Sequence, residues 1–565
     1  MRTNYCRKII YGSMIIALAI TSGCATHGAG MKKTLNALAR GDYAASVKEV
    51  EKNYGKKNNE RLIYNMDMGL IRHLGGQYEM SNKNFQNAAD IAEDLETKLA
   101  GDLLKTALTN PRSGPYGGTK FEKVFIHYYK ALNYLKLAAE HPERMTDYIE
   151  SARIEARRID IKLTAIQKEE GTYKEAKDKK QKLFGKLMSI FNALEGTMDK
   201  DKLIYREDAY IRYLTGLVYE KNGELDEARV SYQNAAELYE KGFAKQYGLG
   251  SDITEMAWFD AVRVMRDSGD WEGEWQKLAK EKLSPSALNK LDSFKPGAGQ
   301  LVIIQGTGFV PAREELNIKM TLDTRGKALV MQPVLYGDMM QREDQMSWFY
   351  SIYSEKGVIS VISNYMDRGV AGAIKGLYTK RISLSLAWPL VEAVNLPETM
   401  KTMGPFGVRV TVPYYRPFHA DFAATLISVD GKPHGVLADS ESIAQLAVQE
   451  QFLHADSDLQ TAVAREVLKN SLTTKIGGAI GGGELAFVGG LINAATSAAE
   501  TRNWLTLPYV IRVQRIALPP GIHNITLLTR STVPGLKYNE VNKTVEIKAG
   551  EISVLSHRAV LASNI

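Results

Sequence analysis

Two stretches of this 565-residue chain carry matching side chains at matching offsets, and that recurrence narrows what the first half can fold into. Gly69, Gly76, Phe85 and Ala88 in one stretch are matched by Gly216, Gly223, Tyr232 and Ala235 in the other. Tyr78 adds an aromatic to the first copy and Tyr219 to the second, and Ser81 stands where the second has Ala228. Fainter traces lie at Gly41, Tyr43 and Ser46, and at Tyr134 with Ala152. The apolar pattern is helical from Met31 to about Ser284, so a helical array is expected over residues 34–284.

These offsets resemble the tetratricopeptide repeat (TPR). The resemblance implies helix pairs stacked into a curved solenoid, whose broad inner groove would take a segment of another protein. Residues 162–202 interrupt the array with Lys174, Lys177, Lys179, Lys180 and Lys182, which read as a solvated charged helix or hairpin projecting from the stack.

After Leu283-Ser284-Pro285 and the turn-forming run Phe294-Lys295-Pro296-Gly297-Ala298-Gly299, the pattern changes to short β-branched or alternating runs. They cover Leu301 to Gln305, Ile382 to Ala387, Val408 to Val412, Ala424 to Val429, Val510 to Ile516, Ile525 to Thr529 and Val541 to Ile547. Asp430-Gly431, Pro519-Pro520-Gly521 and Ala549-Gly550-Glu551 supply the turns. Residues 285–300 are expected to link the array to a sandwich-like β-rich domain, 301–565, with a helical insertion at 441–500 read as Glu441 to His454 and Ser457 to Glu500. Within it, small residues at every fourth position from Gly478 to Ala498 predict a helix packed closely inside its own domain. The expected class is therefore α+β, an N-terminal TPR-like α-solenoid followed by a β-rich domain with inserted helices.

The first 23 residues read as a secretory signal: basic Arg2, Arg7 and Lys8, the apolar stretch Ile9 to Ile20, then Thr21-Ser22-Gly23 before Cys24. The run Ala19-Ile20-Thr21-Ser22-Gly23-Cys24 resembles a bacterial lipobox, with Thr21 where that pattern favours Leu. The resemblance implies cleavage before Cys24, acyl chains on its thiol and amine, and a short tether over residues 24–33. Each acyl methylene adds about 0.8 kcal/mol of membrane partitioning, so several chains hold a protein firmly. By resemblance to proteobacterial lipoproteins, Ala25 favours the outer membrane. Losing the three basic residues of the signal lowers the formal charge from +7 to +4, too mild to imply a nucleic-acid partner.

Chemistry is harder to find. The nine histidines are scattered without the spacing of a zinc site, and the mature chain would keep no cysteine but Cys24. Gln305-Gly306-Thr307-Gly308-Phe309 follows a strand but lacks the third glycine and the helix of a dinucleotide site, so it reads as a loop. Asp456 and Asp458 read as a helix N-cap rather than an acid and base pair. No catalytic residue, metal or cofactor is expected.

The lipobox, the stretches Phe121 to Tyr134 and Tyr213 to Glu220, and Trp504-Leu505-Thr506-Leu507-Pro508 followed by Leu518-Pro519-Pro520-Gly521 resemble uncharacterised proteobacterial lipoproteins with TPR-like repeats. That resemblance implies location and architecture and brings no catalytic residues. The expected function is an envelope scaffold, not an enzyme, that binds a periplasmic or outer-membrane protein through its groove, in cell-wall or surface-polymer assembly. The alternative is a glycan-processing enzyme whose site lies in the strand-rich half.

Overall fold

The computed structural model describes residues 26–54, 57–108, 111–169, 205–295, 297–352, 379–385, 388–393, 397, 408–416, 422–480, 498–531 and 539–560. The signal and Cys24 lie outside these residues, as do most of the lysine-rich interruption and of the Gly/Ala-rich stretch.

The helical half runs through α1 (His27–Ala39), α2 (Tyr43–Tyr54), α3 (Arg61–Leu74), α4 (Tyr78–Leu108), α5 (Lys120–Glu140), α6 (Met145–Glu169), α7 (Ala209–Lys221), α8 (Leu225–Leu238) and α9 (Asp252–Ser268). Each helix packs on the next in sequence, and α3 also meets α5 as α5 meets α7. The helices start where the sequence offers caps. Thr119 and Glu122 form a capping box at α5, and Asp208 accepts the Ile211 N–H at 2.8 Å ahead of α7.

The recurrent offsets have a direct physical meaning. Gly41, Gly76 and Gly223 follow α1, α3 and α7 with φ of 73°, 74° and 80°, the left-handed conformation in which a side chain would be strained. A Cβ on Gly69 would stand 2.7 Å from Phe85 Cε1, and one on Gly216 would stand 2.8 Å from Tyr232 Cδ1, so each glycine exists to admit a ring. In the α1–α2 hairpin the same two places hold Thr34 and Val50, both fully buried, so a larger residue on one helix faces a smaller one on the other. The Ser46 hydroxyl donates to Thr34 O at 3.4 Å and the Ser81 hydroxyl to Gly69 O at 2.6 Å, the same bond twelve residues apart in two hairpins.

The succession of a helical half and a strand-rich half is as expected. Between them, residues 285–300 form α11 (Pro285–Leu291), preceded by α10 (Glu274–Lys282), and Leu291 and Phe294 are buried in the common core. Three four-stranded sheets follow. The first is ordered β12 (Ile552–Ala559), β1 (Gly299–Thr307), β9 (Val510–Leu518) and β8 (Ala438–Glu441). The second is ordered β11 (Asn539–Ile547), β10 (Gly521–Ser531), β6 (Phe422–Val429) and β7 (Lys432–Val436). The third is ordered β4 (Lys380–Ser383), β3 (Ala328–Val334), β2 (Arg313–Asp323) and β5 (Val408–Tyr415), with α12 (Met339–Ile352) between β3 and β4 in the chain. Pairings are antiparallel except that β12 lies parallel to β1, Gln300 opposite Ile552 and Gly306 opposite Arg558.

Alternation along β1 assigns the layers. Leu301 and Ile303 join Ile427, Ile525, Leu527 and Ile547 in a core between the first two sheets, whereas Val302 and Ile304 join the core shared with the helices. The first sheet is therefore buried on both faces, and one continuous apolar core crosses from the helical half into the strand-rich half.

Three readings are corrected. The insertion is one helix, α13 (Ile443–Ile480), where two were expected, so Asp456 and Asp458 lie inside a helix rather than at its cap. Gln305, Gly306 and Thr307 belong to β1 rather than to a loop, because each pairs with both neighbouring strands. Residues 498–500 are not helical, so the Gly/Ala-rich helix reaches no further than residue 480 among the described residues.

Candidate functional site

A solenoid of the expected kind would offer its inner face to another protein; here the helical half is met by a segment of the same chain. Residues 498–509 have no regular secondary structure, yet residues 501–508 are all buried, against α1, α3, α4 and α5. Buried irregular backbone must find hydrogen-bond partners, and the helical half supplies them. The Trp504 N–H donates to Glu122 Oε1 at 2.9 Å and the His27 N–H donates to Thr501 Oγ1 at 3.3 Å. Arg502 donates to the carbonyls of Asn59, Pro111 and Gly114 at 3.1, 3.0 and 3.1 Å and pairs with Glu500 at 2.5 Å. Arg112 donates to Ala499 O at 3.0 Å and pairs with Glu315 at 2.7 Å.

Trp504 is the plug of this seam. Its ring lies 5.9 Å from Phe85 and 6.0 Å from Tyr129, centroid to centroid, and Phe85 is the residue that Gly69 admits. Its Nε1–H donates to Thr506 Oγ1 at 3.0 Å, and the Thr506 hydroxyl donates to Asp67 Oδ1 at 2.8 Å. The Tyr54 hydroxyl donates to Asp67 Oδ2 at 3.1 Å and lies 3.1 Å from His27 Nε2. Burial pushes the Asp67 carboxyl up to about 7, although the bonds from Thr506 and Tyr54 pull the other way. Burial, aided by the Arg502 guanidinium, pushes His27 down to about 3, so its ring is neutral. His27 and Tyr54 open onto a cavity of about 450 Å³. Its charged lining is already neutralised, Lys57 by Glu60, Arg112 by Glu315 and Arg502 by Glu500.

A second joint ties α7, α8 and α9 to β9 through buried charges. Arg515 Nη2 stands 2.9 Å from Glu220 Oε2 and its Nε stands 3.1 Å from Asp260 Oδ1. Arg263 Nη1 reaches Glu220 Oε1 at 2.7 Å and its Nε reaches Asp260 Oδ1 at 3.2 Å. Two guanidiniums and two carboxylates thus cancel, and the Tyr213 and Tyr232 hydroxyls complete the set by donating to Asp260 at 2.6 Å and Glu220 at 2.9 Å. Burial alone would raise the Glu220 carboxyl, but Arg263 and Arg515 outweigh it and hold the group at about 2.

Asp208 and Glu441 form the remaining unusual pair, both fully buried. Burial first, and then the Asp208 carboxyl, pushes Glu441 well above the carboxylate range, and burial raises Asp208 to about 6. Converging carboxyls with raised pKa values suit acid and base chemistry. These have no solvent-facing surface through which a substrate could reach them.

The repeat residues gather at helix contacts rather than at one site. Gly69, Phe85 and Ala88 pack between α3 and α4, and Gly216, Ala228, Tyr232 and Ala235 between α7 and α8, while Gly223 makes the turn. Tyr219 reaches outward to α6, donating to Asp160 Oδ2 at 2.9 Å. Cys24 lies outside the described residues. The seam made by Arg502, Arg515, Glu220, Asp260 and Arg263 carries no local sequence signal, because the partners that meet across it are far apart in the chain, and the near pairs Asp260 with Arg263 and Glu500 with Arg502 do not reveal it. Among the described residues no cluster of three His, Cys, Asp or Glu side chains could hold a metal ion, and no helix is long and apolar enough to cross a membrane.

Comparison with protein-family models, curated proteins and solved structures finds no match to this chain.

Proposed function

We propose that this chain is a lipid-anchored envelope scaffold: a TPR-like solenoid tethered through Cys24 to the outer membrane, facing the periplasm, that clamps its own strand-rich half and presents the assembled body to another envelope protein. The observation that carries the reading is the seating of Trp504 against Phe85, Tyr129 and Glu122, the mode in which a helical array holds an extended segment. The TPR-like part of the reading rests on the repeated interlock of Gly69 with Phe85 and of Gly216 with Tyr232. The anchor rests on the order of basic, apolar and small residues before Cys24. Residues 498–509 seat on α1, α3, α4 and α5, so in this reading the partner surface expected of a TPR-like groove is moved to the rest of the assembled body.

Metabolic labelling with a fatty acid, followed by pull-down from cross-linked envelopes, tests both parts. Label should enter the wild type and not Cys24→Ala, and the same partner should be recovered with the wild type and with Trp504→Phe, which keeps the plug. Wild-type protein without label overturns the anchor. Failure to recover any specific envelope partner overturns the scaffold.

A further inference from the structure

The second seam feature is a cavity of about 270 Å³ between α3 and α5 on one side and β1 and β12 on the other. Its charged lining is one-sided. Arg558 and Lys543 contribute permanent cations, His73 and His557 contribute imidazoles, and no lining residue carries a carboxylate. We propose that this cavity binds a compact anionic ligand, one that presents a carboxylate or a phosphate to Arg558.

Arg515 and Arg558 make the case by contrast. They lie on β9 and β12, either side of β1 in one sheet, and both are packed against the helices. Arg515 is given two carboxylates. Arg558 has no ion pair among the described residues: Nη2 donates to Thr506 O at 2.9 Å, the neutral Tyr129 hydroxyl hydrogen-bonds the guanidinium, which lies 5.1 Å over the Phe309 ring, and Nε has no hydrogen-bond partner. Burial pushes its pKa down to about 10, so it keeps its charge at neutral pH without a counter-ion. A partly buried charge given only neutral partners still lacks a counter-ion, and a bound anion supplies what the chain omits.

The surroundings sharpen the charge. Lys136 donates to Val554 O at 3.2 Å beside the cavity, with Glu140 the acidic residue that acts on it. His557 Nε2 is buried without a hydrogen-bond partner, and burial together with Lys543, Arg558 and Lys136 keeps that ring neutral. His73 is also kept neutral, with Nδ1 2.6 Å from Asn133 Oδ1, and it stands edge-on to Tyr78 and Tyr129 at 5.8 and 5.2 Å. Gly306 explains how the guanidinium fits: a Cβ there would lie 3.2 Å from Arg558 Nη1 and 3.2 Å from Pro508 Cβ. The glycine that reads from sequence as part of a loop is the space in which Arg558 sits.

Size and lining limit the ligand class. The volume is just below the range of about 300–1,000 Å³ typical of drug-sized ligands, so the site suits a group the size of one sugar ring, with tyrosines for its apolar face and Arg558 for its charge. The inference does not depend on the scaffold reading.

Calorimetric titration of the purified full chain with glucose 6-phosphate, glucuronate and glucose tests it. Saturable one-to-one binding of either anion is expected, with no binding of glucose, and the preferred anion decides between phosphate and carboxylate. Arg558→Gln should weaken binding about tenfold or more. Lys543→Gln alters an exposed residue of β11, and it should weaken binding too, keeping the test alive if the first variant does not fold. Absence of binding by both anions, equal binding of glucose, or unchanged affinity in these variants overturns the proposal.

Discussion

Arg515 on β9 and Glu220 on α7 meet 2.9 Å apart, 295 residues apart in sequence, with Arg263 and Asp260 closing a neutral buried quartet around them. Replacing Glu220 by Gln leaves Arg515 and Arg263 to share buried Asp260, with only the more exposed Asp267 at 3.5 Å from Arg263 besides, and breaking a buried pair in this way costs about 3–5 kcal/mol. Denaturant unfolding of Glu220→Gln should show a loss of that size. The acid limb has the same origin. The folded value of about 2 lies below the usual value of about 4.3, so Glu220 contributes stability above the unfolded value that is lost as pH falls through about 2. Wild-type melting should therefore drop between about pH 4 and 2, and Glu220→Gln should flatten that drop.

Asp208 and Glu441 have the opposite sign. Their folded values are raised, so their contribution is complete below the unfolded carboxylate range and is lost as pH rises through the Asp208 value of about 6. Glu441→Gln removes one of the two ionisations that burial opposes. Thermal melts at pH 5 and pH 8 should show the wild type losing stability at the higher pH and the variant losing less. An equal loss in both would show that this pair does not set the alkaline side.

Gly69→Ala sets two effects against each other. Alanine in a helix interior gains about 1 kcal/mol over glycine. Its Cβ would stand 2.7 to 2.9 Å from three atoms of the Phe85 ring, which is itself held by Tyr129 and Trp504 at 5.8 and 5.9 Å. Overpacking of about 1–3 kcal/mol should win. The Thr34 and Val50 pair of the first hairpin suggests the remedy. Gly69→Ala with Phe85→Val should lose less stability than the two single changes added together, as read in a double-mutant cycle.

Trp504→Ala should cost about 3–5 kcal/mol, since a fully buried indole leaves a cavity and the Thr506 hydroxyl loses a donor. The helices lose little of their own packing. Limited proteolysis should then cut near residues 498–509 while helical circular dichroism is largely kept, and a variant as resistant as the wild type would show that Trp504 does not hold the seam.

The order of a helical half and a strand-rich half was legible in the sequence because periodicity is local: the segments chosen in the second half fall on β1, β5, β6, β9, β10 and β11, while Ile382 to Ala387 meets β4 only at Ile382 and Ser383. The close approach at Gly216 was legible for a related reason, since a small residue recurring in a helical repeat marks where helices meet, but that Tyr232 fills the space and that Gly223 makes a left-handed turn came from the structure. What covers α1, α3, α4 and α5 was not legible. An arginine in a strand looks the same whether it meets Glu220, as Arg515 does, or lines a cavity, as Arg558 does, because the difference lies in partners hundreds of residues away. The same holds for Trp504, which stands out as a residue type but whose place against Phe85 and Glu122 exists only once the two halves close on each other. Local patterns determined the elements; the pairing of distant buried charges and rings, which must be satisfied once water is excluded, decided where the seam lies.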